Sequence, residues 1–440
     1  MSTAELGLPV DVPSTALFTD RYELTMLQAA LRSGAAHRRS VFEAFTRRLP
    51  EGRRYGVVAG TGRVLDAVEN FRFDAPVLDF LRREQVVDDD TLEWLAGYRF
   101  SGDIWGYPEG EVYFPGSPIL RVEGTFAEAV VLETVVLSIL NHDSAIAAAA
   151  SRMAVAAGGR PLLEMGARRA HELAAVAASR AAYVGGFRTS SNLAAGFRYG
   201  IPTVGTSAHA FTLLHDTERD AFTAQVESLG RGTTLLVDTY DVAEAVRAAV
   251  EIAGPELGAV RIDSGDLLLL AHRVRQQLDD LGAKNTKIVV TSDLDEYAIA
   301  SLAAAPVDSY GVGTSLVTGS GHPTCSMVYK LVARAGDDGG PLVPVAKKSM
   351  GGKTSVGGRK WAARRVDADG VAAAEVVGSG PIPAELTDRQ LLVPLVRGGD
   401  IIGREPLEAA RLRHIEARAS LPVSATQLSR GEPVLPTEVL

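Results

Sequence analysis

The stretch "GTSAHAF", Gly205 to Phe211, sets a histidine among small residues in a 440-residue chain that holds only eight histidines. Three chemistries are open to His209. A metal site would want partner ligands at matching spacing, and no His-x-x-x-His, acidic calcium loop or Walker-type lysine loop is present. A hydrogen-bonded structural histidine is the second reading. The third is a nucleophile, because a neutral imidazole beside an anion-binding loop can accept a phosphoryl group.

Other stretches add to the inventory. In "VRIDSGDL" (260–267) Arg261 and Asp263 stand two apart on an expected strand, so they face the same way. Arg261 can hold a carboxylate or phosphate in its planar fork, and Asp263 can take sugar hydroxyls or face a developing positive charge. The two could instead pair with each other. "YGVGTSLVTG" (310–319) follows an apolar run with glycines, Thr314 and Ser315, a turn that exposes backbone N–H groups to an anion or merely turns tightly. "EMGARRAHE" (164–172) puts Arg168 and Arg169 just past a strand end, where a pyrophosphate would need charge or a helix would carry it in solvent. "KKSMGGKTSVGGRK" (347–360) is either a cationic lid over a polyanion or a plain loop. Together the set suits a phosphorylated sugar and a small acidic co-substrate.

Two motifs invite the same chemistry on weaker grounds. "VVDDDT" (86–91) looks like paired acids after a strand, but no glycine-rich loop follows, and Asp90 with Glu93 fits a helix N-cap with a capping box. "VVAGTGRVL" (57–65) resembles a phosphate turn, yet a lone Gly-x-Gly fits close packing of a helix start better.

Elements that could position these residues recur through the middle of the chain. Short apolar runs at "PLLEMG", "AAYVGGF", "IPTVGT", "TTLLVDTYD", "LGAVRIDSGD", "KIVVTSDLD" and "DSYGVGTS" mostly alternate with amphipathic stretches such as "VAEAVRAAVEIAG". About seven βα units over roughly 150 residues predict an α/β barrel rather than an open sheet. The runs end in Glu164, Ser190 to Asn192, Thr206, Asp238 with Asp241, Asp263, Ser292 with Asp293, and Gly311 to Thr314. Strand C-termini converge on one rim in a barrel, and an active site there needs such residues; turns and caps want them too. Residues 1–135 mix signals: "YELTMLQAALRSG" reads as a helix stopped by Gly34, and "DIWGYPEGEVYFPGSPILRVEG" as an antiparallel meander. The Gly- and Pro-rich region 340–440, with short strands such as "RQLLVPLVRGG", is expected to pack partly on the N-terminal region. The expected domains are 1–135, 136–335 for the barrel, and 336–440.

A net charge of −9 argues against general nucleic-acid binding. One cysteine, Cys325, leaves no intramolecular disulfide and no cysteine-rich zinc site. The start lacks a signal-peptide pattern, and charges break the apolar runs "EAVVLETVVLSIL" and "AIAAAASRMAVAA". A soluble, cytoplasmic protein without membrane association is expected.

In order along the chain, "LFTDRYELTML", "FEAFTRRLP", "YGVVAGTGRVL", "EMGARRAHE", "GTSAHAF", "LLVDTYD", "RIDSGDL" and "GVGTSLVTG" resemble the nicotinate phosphoribosyltransferase family. The resemblance implies an irregular (α/β) barrel with a flanking α+β domain built from both chain ends, and a homodimer with shared active sites. It implies nicotinate, 5-phosphoribosyl 1-pyrophosphate and ATP as partners, Mg²⁺ as cofactor, and a phosphohistidine at His209. It also implies that Tyr22 stacks on nicotinate from the neighbouring subunit, and that Arg261 and Thr206 line that pocket. Arg168, Ser292, Gly313 and Thr314 then serve donor binding, and Asp263 faces the ribose. Residues 340–440 match the family only patchily. The rival readings are a phosphoribosyltransferase for nicotinamide or quinolinate, and a non-catalytic barrel that binds nicotinate or a nucleotide.

Overall fold

The computed structural model describes residues 14–336, 339–347 and 356–440. Most of the stretch 347–360 expected as a lid therefore lies outside the described residues. The parallel sheet consists of β1 (Leu162–Glu164), β2 (Thr189–Ser190), β3 (Thr234–Leu236), β4 (Ala259–Ile262), β5 (Lys287–Val290) and β6 (Ser309–Val312). Their order is β2-β1-β6-β5-β4-β3, with every pair parallel. No pairing joins β2 to β3 among the described residues, so hydrogen bonds close only part of the ring.

Two expected strands are not there. "AAYVGGF" runs through the end of the helix Glu172–Val184 and its stop at Gly185 and Gly186. Its alanines favour helix once one face can be buried, and the strand of that unit is the two-residue β2 that follows. "IPTVGT" contributes one isolated bridge, Thr203 to Ser190. Elsewhere alternation was a sound guide: Leu235, Val260, Ile262, Ile288 and Val290 all enter one core with the helices around them.

The flanking layer is a seven-stranded sheet in which Arg39–Thr46 pairs with both Leu120–Thr125 and Met327–Arg334. Asp103–Gly106 and Leu120–Thr125 form the expected antiparallel pair, but Val112–Tyr113 leaves the meander to pair with Gly56–Val57. Val393–Arg397, from the C-terminal segment, pairs with Asp103–Gly106 of the N-terminal layer. The rest of that segment differs. It builds its own sheet from Lys360–Val366 and Ala372–Ser379 with two short partners, and its helix Leu407–Ala419 packs on Glu172–Val184 of the barrel.

Helix Arg21–Ser33 stops at Gly34, whose φ of 76° is the left-handed turn glycine tolerates. The 86–91 motif caps a helix, though through Asp88 rather than Asp90: the Asp88 carboxylate accepts from Thr91 N, and Asp89 and Asp90 occupy the first turn. At 57–65 the N–H groups of Gly60 and Gly62 donate to the buried Glu109 carboxylate, which Arg180 neutralises. That helix start already holds its anion. The run Phe126–Ala156 is long and apolar enough to cross a bilayer, but it is mostly buried in the protein core.

Candidate active site

At the C-terminal rim of the parallel sheet lies a polar cavity of about 250 Å³. Arg168 and Arg169 come from the loop after β1, Arg261 and Asp263 from the end of β4, Thr291 to Asp293 from the loop after β5, and Gly313 and Thr314 from the turn after β6. Six of the residues to which the family resemblance gives a role therefore share one wall: Arg168, Arg261, Asp263, Ser292, Gly313 and Thr314.

Arg261 and Asp263 do not pair with each other. Arg261 Nη1 donates to Thr206 Oγ1 at 2.6 Å, and the Asp263 carboxylate accepts from Thr291 Oγ1 at 2.5 Å. Arg261 Nε is buried with no partner. Burial lowers the Arg261 pKa, Asp263 and Asp238 act the other way, and Arg168 lowers it further. A half-satisfied guanidinium among other cations is what an anionic ligand would complete.

His209 starts the helix His209–Leu214 beside this cavity and is not part of its wall. Its Nδ1 lies 3.1 Å from Thr239 Oγ1, and its Nε2 lies 3.9 Å from Asp238 Oδ1. Asp238 is the link to the cavity. Its side chain is 2% exposed, and Oδ2 accepts from Asp263 N at 2.9 Å and from Ser264 Oγ at 2.6 Å. Its Oδ1 is buried without a hydrogen bond. Sequence reading marked Asp238 only as one polar strand end; the motif "LLVDTYD" contained the residue but not its orientation. Glu218 was missed altogether. Burial, then Asp241 and Asp238, push its carboxyl up to about 6, and one of its oxygens is also buried without a partner.

Other strand-end residues prove to be fasteners. Glu164 is buried and accepts from Gly166 N and from the hydroxyls of Ser179 and Ser190. Asn192, Asp241, Asp266 and Asp295 cap helices. Ser292 carries strain at the cavity mouth, with φ at 120°, a region few residues other than glycine adopt. Tyr22 stands apart from this cavity, on the first helix, 47% exposed, with its phenol pushed up by burial and by Glu133. No cluster of three or more histidine, cysteine or acidic residues suited to a resident metal occurs among the described residues.

Profiles for known families match both halves of the chain. One described as the nicotinate phosphoribosyltransferase N-terminal domain covers residues 17–141, and one described as the nicotinate phosphoribosyltransferase family covers 161–350. A nicotinate phosphoribosyltransferase of Mycobacterium tuberculosis is 57% identical, over 99% of this chain and 97% of that one. A Bacillus subtilis nicotinate phosphoribosyltransferase is 38% identical, over 79% and 72%. The solved structure of human nicotinic acid phosphoribosyltransferase superposes with a TM-score of 0.80 at 27% identity, over 96% and 97% of the two chains. With its parallel rim, its flanking antiparallel layer and its motifs in order, this chain belongs to the nicotinate phosphoribosyltransferase family.

Proposed function

We propose that this protein joins nicotinate to 5-phosphoribosyl 1-pyrophosphate, giving nicotinate mononucleotide and pyrophosphate for NAD synthesis, with ATP hydrolysed through a phosphohistidine at His209. The observation that carries the reading is the convergence of Arg168, Arg261, Asp263 and the Gly313–Thr314 turn on one cavity, with His209 joined to it through Asp238. Arg261 and Thr206 take the nicotinate carboxylate. Ring-nitrogen attack at the anomeric carbon expels pyrophosphate, and Asp263 stabilises the positive charge that develops on the ribose. Arg168 and the turn at Gly313 and Thr314 hold phosphate groups, and Ser292 holds the donor beside them. One imidazole nitrogen of His209 takes the phosphoryl group, with Asp238 beside Nε2 and Thr239 beside Nδ1 to orient the ring. Mg²⁺ travels as the complex of the donor and of ATP, held chiefly by phosphate oxygens. Tyr22 completes the nicotinate pocket of a second copy in a homodimer, in a soluble cytoplasmic enzyme.

The test supplies the donor and Mg²⁺ with nicotinate, nicotinamide or quinolinate, each with and without ATP, and scores mononucleotide by mass spectrometry. Product from nicotinate, increased by ATP, is expected. His209→Asn is expected to abolish ATP hydrolysis while leaving slow ATP-independent product formation. ATP hydrolysis in that variant proportional to product would sink the phosphohistidine. Product from another pyridine would overturn the substrate, and nicotinate binding without turnover would leave a non-catalytic barrel.

A further inference from the structure

Two loops wall the cavity, Thr291 to Asp293 after β5 and Gly313 to Thr314 after β6, and one buried side chain outside the cavity links the segments that follow them. Glu296 opens the helix Glu296–Ser301 that directly follows the first loop, and its side chain is 2% exposed. Its Oε1 accepts from Arg53 Nη1 at 2.9 Å and from Arg152 Nε at 3.0 Å, while Oε2 accepts from Ser320 Oγ at 2.5 Å. Arg53 then reaches past it, donating from Nη2 to the Gly319 carbonyl at 2.9 Å.

Gly319 and Ser320 lie beyond the second loop, past the short helix that Thr314 opens. The short helix Thr314–Val317 unwinds into them, with Gly319 N donating to Leu316 O and Ser320 N to Ser315 O. Both residues have left-handed backbones, φ 64° and 53°, and a Cβ on Gly319 would stand 2.2 Å from the His322 carbonyl oxygen. Such a turn is costly for serine unless its surroundings impose it. Here the backbone bond from Ser320 N to Ser315 O is joined by the Ser320–Glu296 and Arg53–Gly319 bonds in holding it. Burial favours the neutral acid, but the bonds from Ser320, Arg53 and Arg152 outweigh it and hold the Glu296 carboxyl below its ordinary range, so the charge that orders the hub is present at neutral pH. Arg152 carries the same hub to the flanking segments through the carbonyls of Gly52 and Leu428.

We propose that Glu296 is a positioning residue for the phosphoribosyl donor, fixing the Gly319–Ser320 turn so that Gly313 and Thr314 are set for a phosphate group. Glu296 lies outside the cavity wall and touches no substrate. The inference rests on reading the Gly313–Thr314 turn as the donor's phosphate site.

The experiment is a KM-against-kcat comparison in the full-length enzyme for Glu296→Gln, Ser320→Ala and Thr314→Ala, with the donor and nicotinate varied separately. Glu296→Gln is expected to raise the donor KM about tenfold and Ser320→Ala about threefold, with the nicotinate KM within about twofold of wild type. Thr314→Ala is expected to raise the donor KM as well. A merely structural role would lower the active fraction and kcat while leaving both KM values alone. That pattern, equal rises in both KM values, or unchanged constants in folded Ser320→Ala and Glu296→Gln would overturn the proposal. Should Glu296→Gln fail to fold, Ser320→Ala decides alone, because it removes one hydrogen bond and leaves Glu296 paired with both arginines. An unchanged donor KM in Thr314→Ala would instead remove the phosphate reading of the turn, and the inference with it.

Discussion

Arg180 and Arg261 are both drawn into the protein, and they are treated in opposite ways. Arg180 is 6% exposed, forks onto both oxygens of Glu109 and lies 5.4 Å from the Tyr199 ring. Burial lowers its proton affinity, but Glu109 reverses that and leaves it raised, while the same pairing lowers Glu109. Arg261 makes one bond, to Thr206, keeps a buried N–H without a partner, and has a lowered pKa. A buried charge with its whole complement of partners serves the fold. One left short of partners costs the free protein stability, and its complement is to be sought in a ligand.

Breaking the paired site should give the largest effect on stability. Glu109→Ala strands Arg180 without a counter-charge and strips the cap from Gly60 and Gly62, so we expect a loss of about 3–5 kcal/mol in denaturant unfolding. The kinetic constants of the remaining folded fraction should hold; a folded variant with altered KM would erase the distinction between the two arginines. Arg261→Ala should show the reverse signature. We expect kcat/KM to fall by about 10²–10³ with an unchanged or raised Tm, because the group lost is one the folded state bears at a cost. A Tm drop as large as that of Glu109→Ala would contradict this.

Buried His414 extends the comparison to pH. Its ring bridges the Gly110 carbonyl and Ser151 Oγ, joining the C-terminal helix to the barrel, and burial drives its pKa down to about 3. A histidine depressed in the fold contributes stability that is whole above about 6.5 and lost as pH falls toward about 3, because the unfolded chain takes the proton first. His414→Gln should cost about 1–3 kcal/mol at pH 7, and the gap from wild type should narrow on acidification. Glu218 runs the other way. Its raised carboxyl favours the fold at low pH, and that contribution is lost as pH rises through about 6. Glu218→Gln should therefore gain on wild type between about pH 4.5 and 7, by no more than about 1 kcal/mol given its partial exposure to solvent. Thermal unfolding across that range decides the sign.

The sequence by itself determined which residues are candidates for the chemistry and much of the scaffold that carries them. Arg261, Asp263, Arg168 and Thr314 stand at the ends of apolar runs, and a parallel sheet with one polar rim brings such ends together whatever the details of its strands. Cap chemistry was legible too, but only to within a couple of residues, because Asp88 and Asp90 offer the same carboxylate and only backbone geometry separates them. Two-residue strands were beyond reach, since a period of two cannot declare itself in β2, while alanine-rich "AAYV" carries equal burial in a helix.

Only the tertiary structure decided which polar residues are spent on the fold and which are left for a ligand. Glu164 and Asp263 are both acids at strand ends; one is enclosed by Gly166, Ser179 and Ser190, and the other lines the cavity. Asp238 became the bridge to His209, and Glu296 the hub for two loops, through partners brought close only by the fold. The physical reason is that hydrogen bonding and desolvation depend on distances of a few ångströms between segments far apart in the chain, and spacing along one segment carries no record of them.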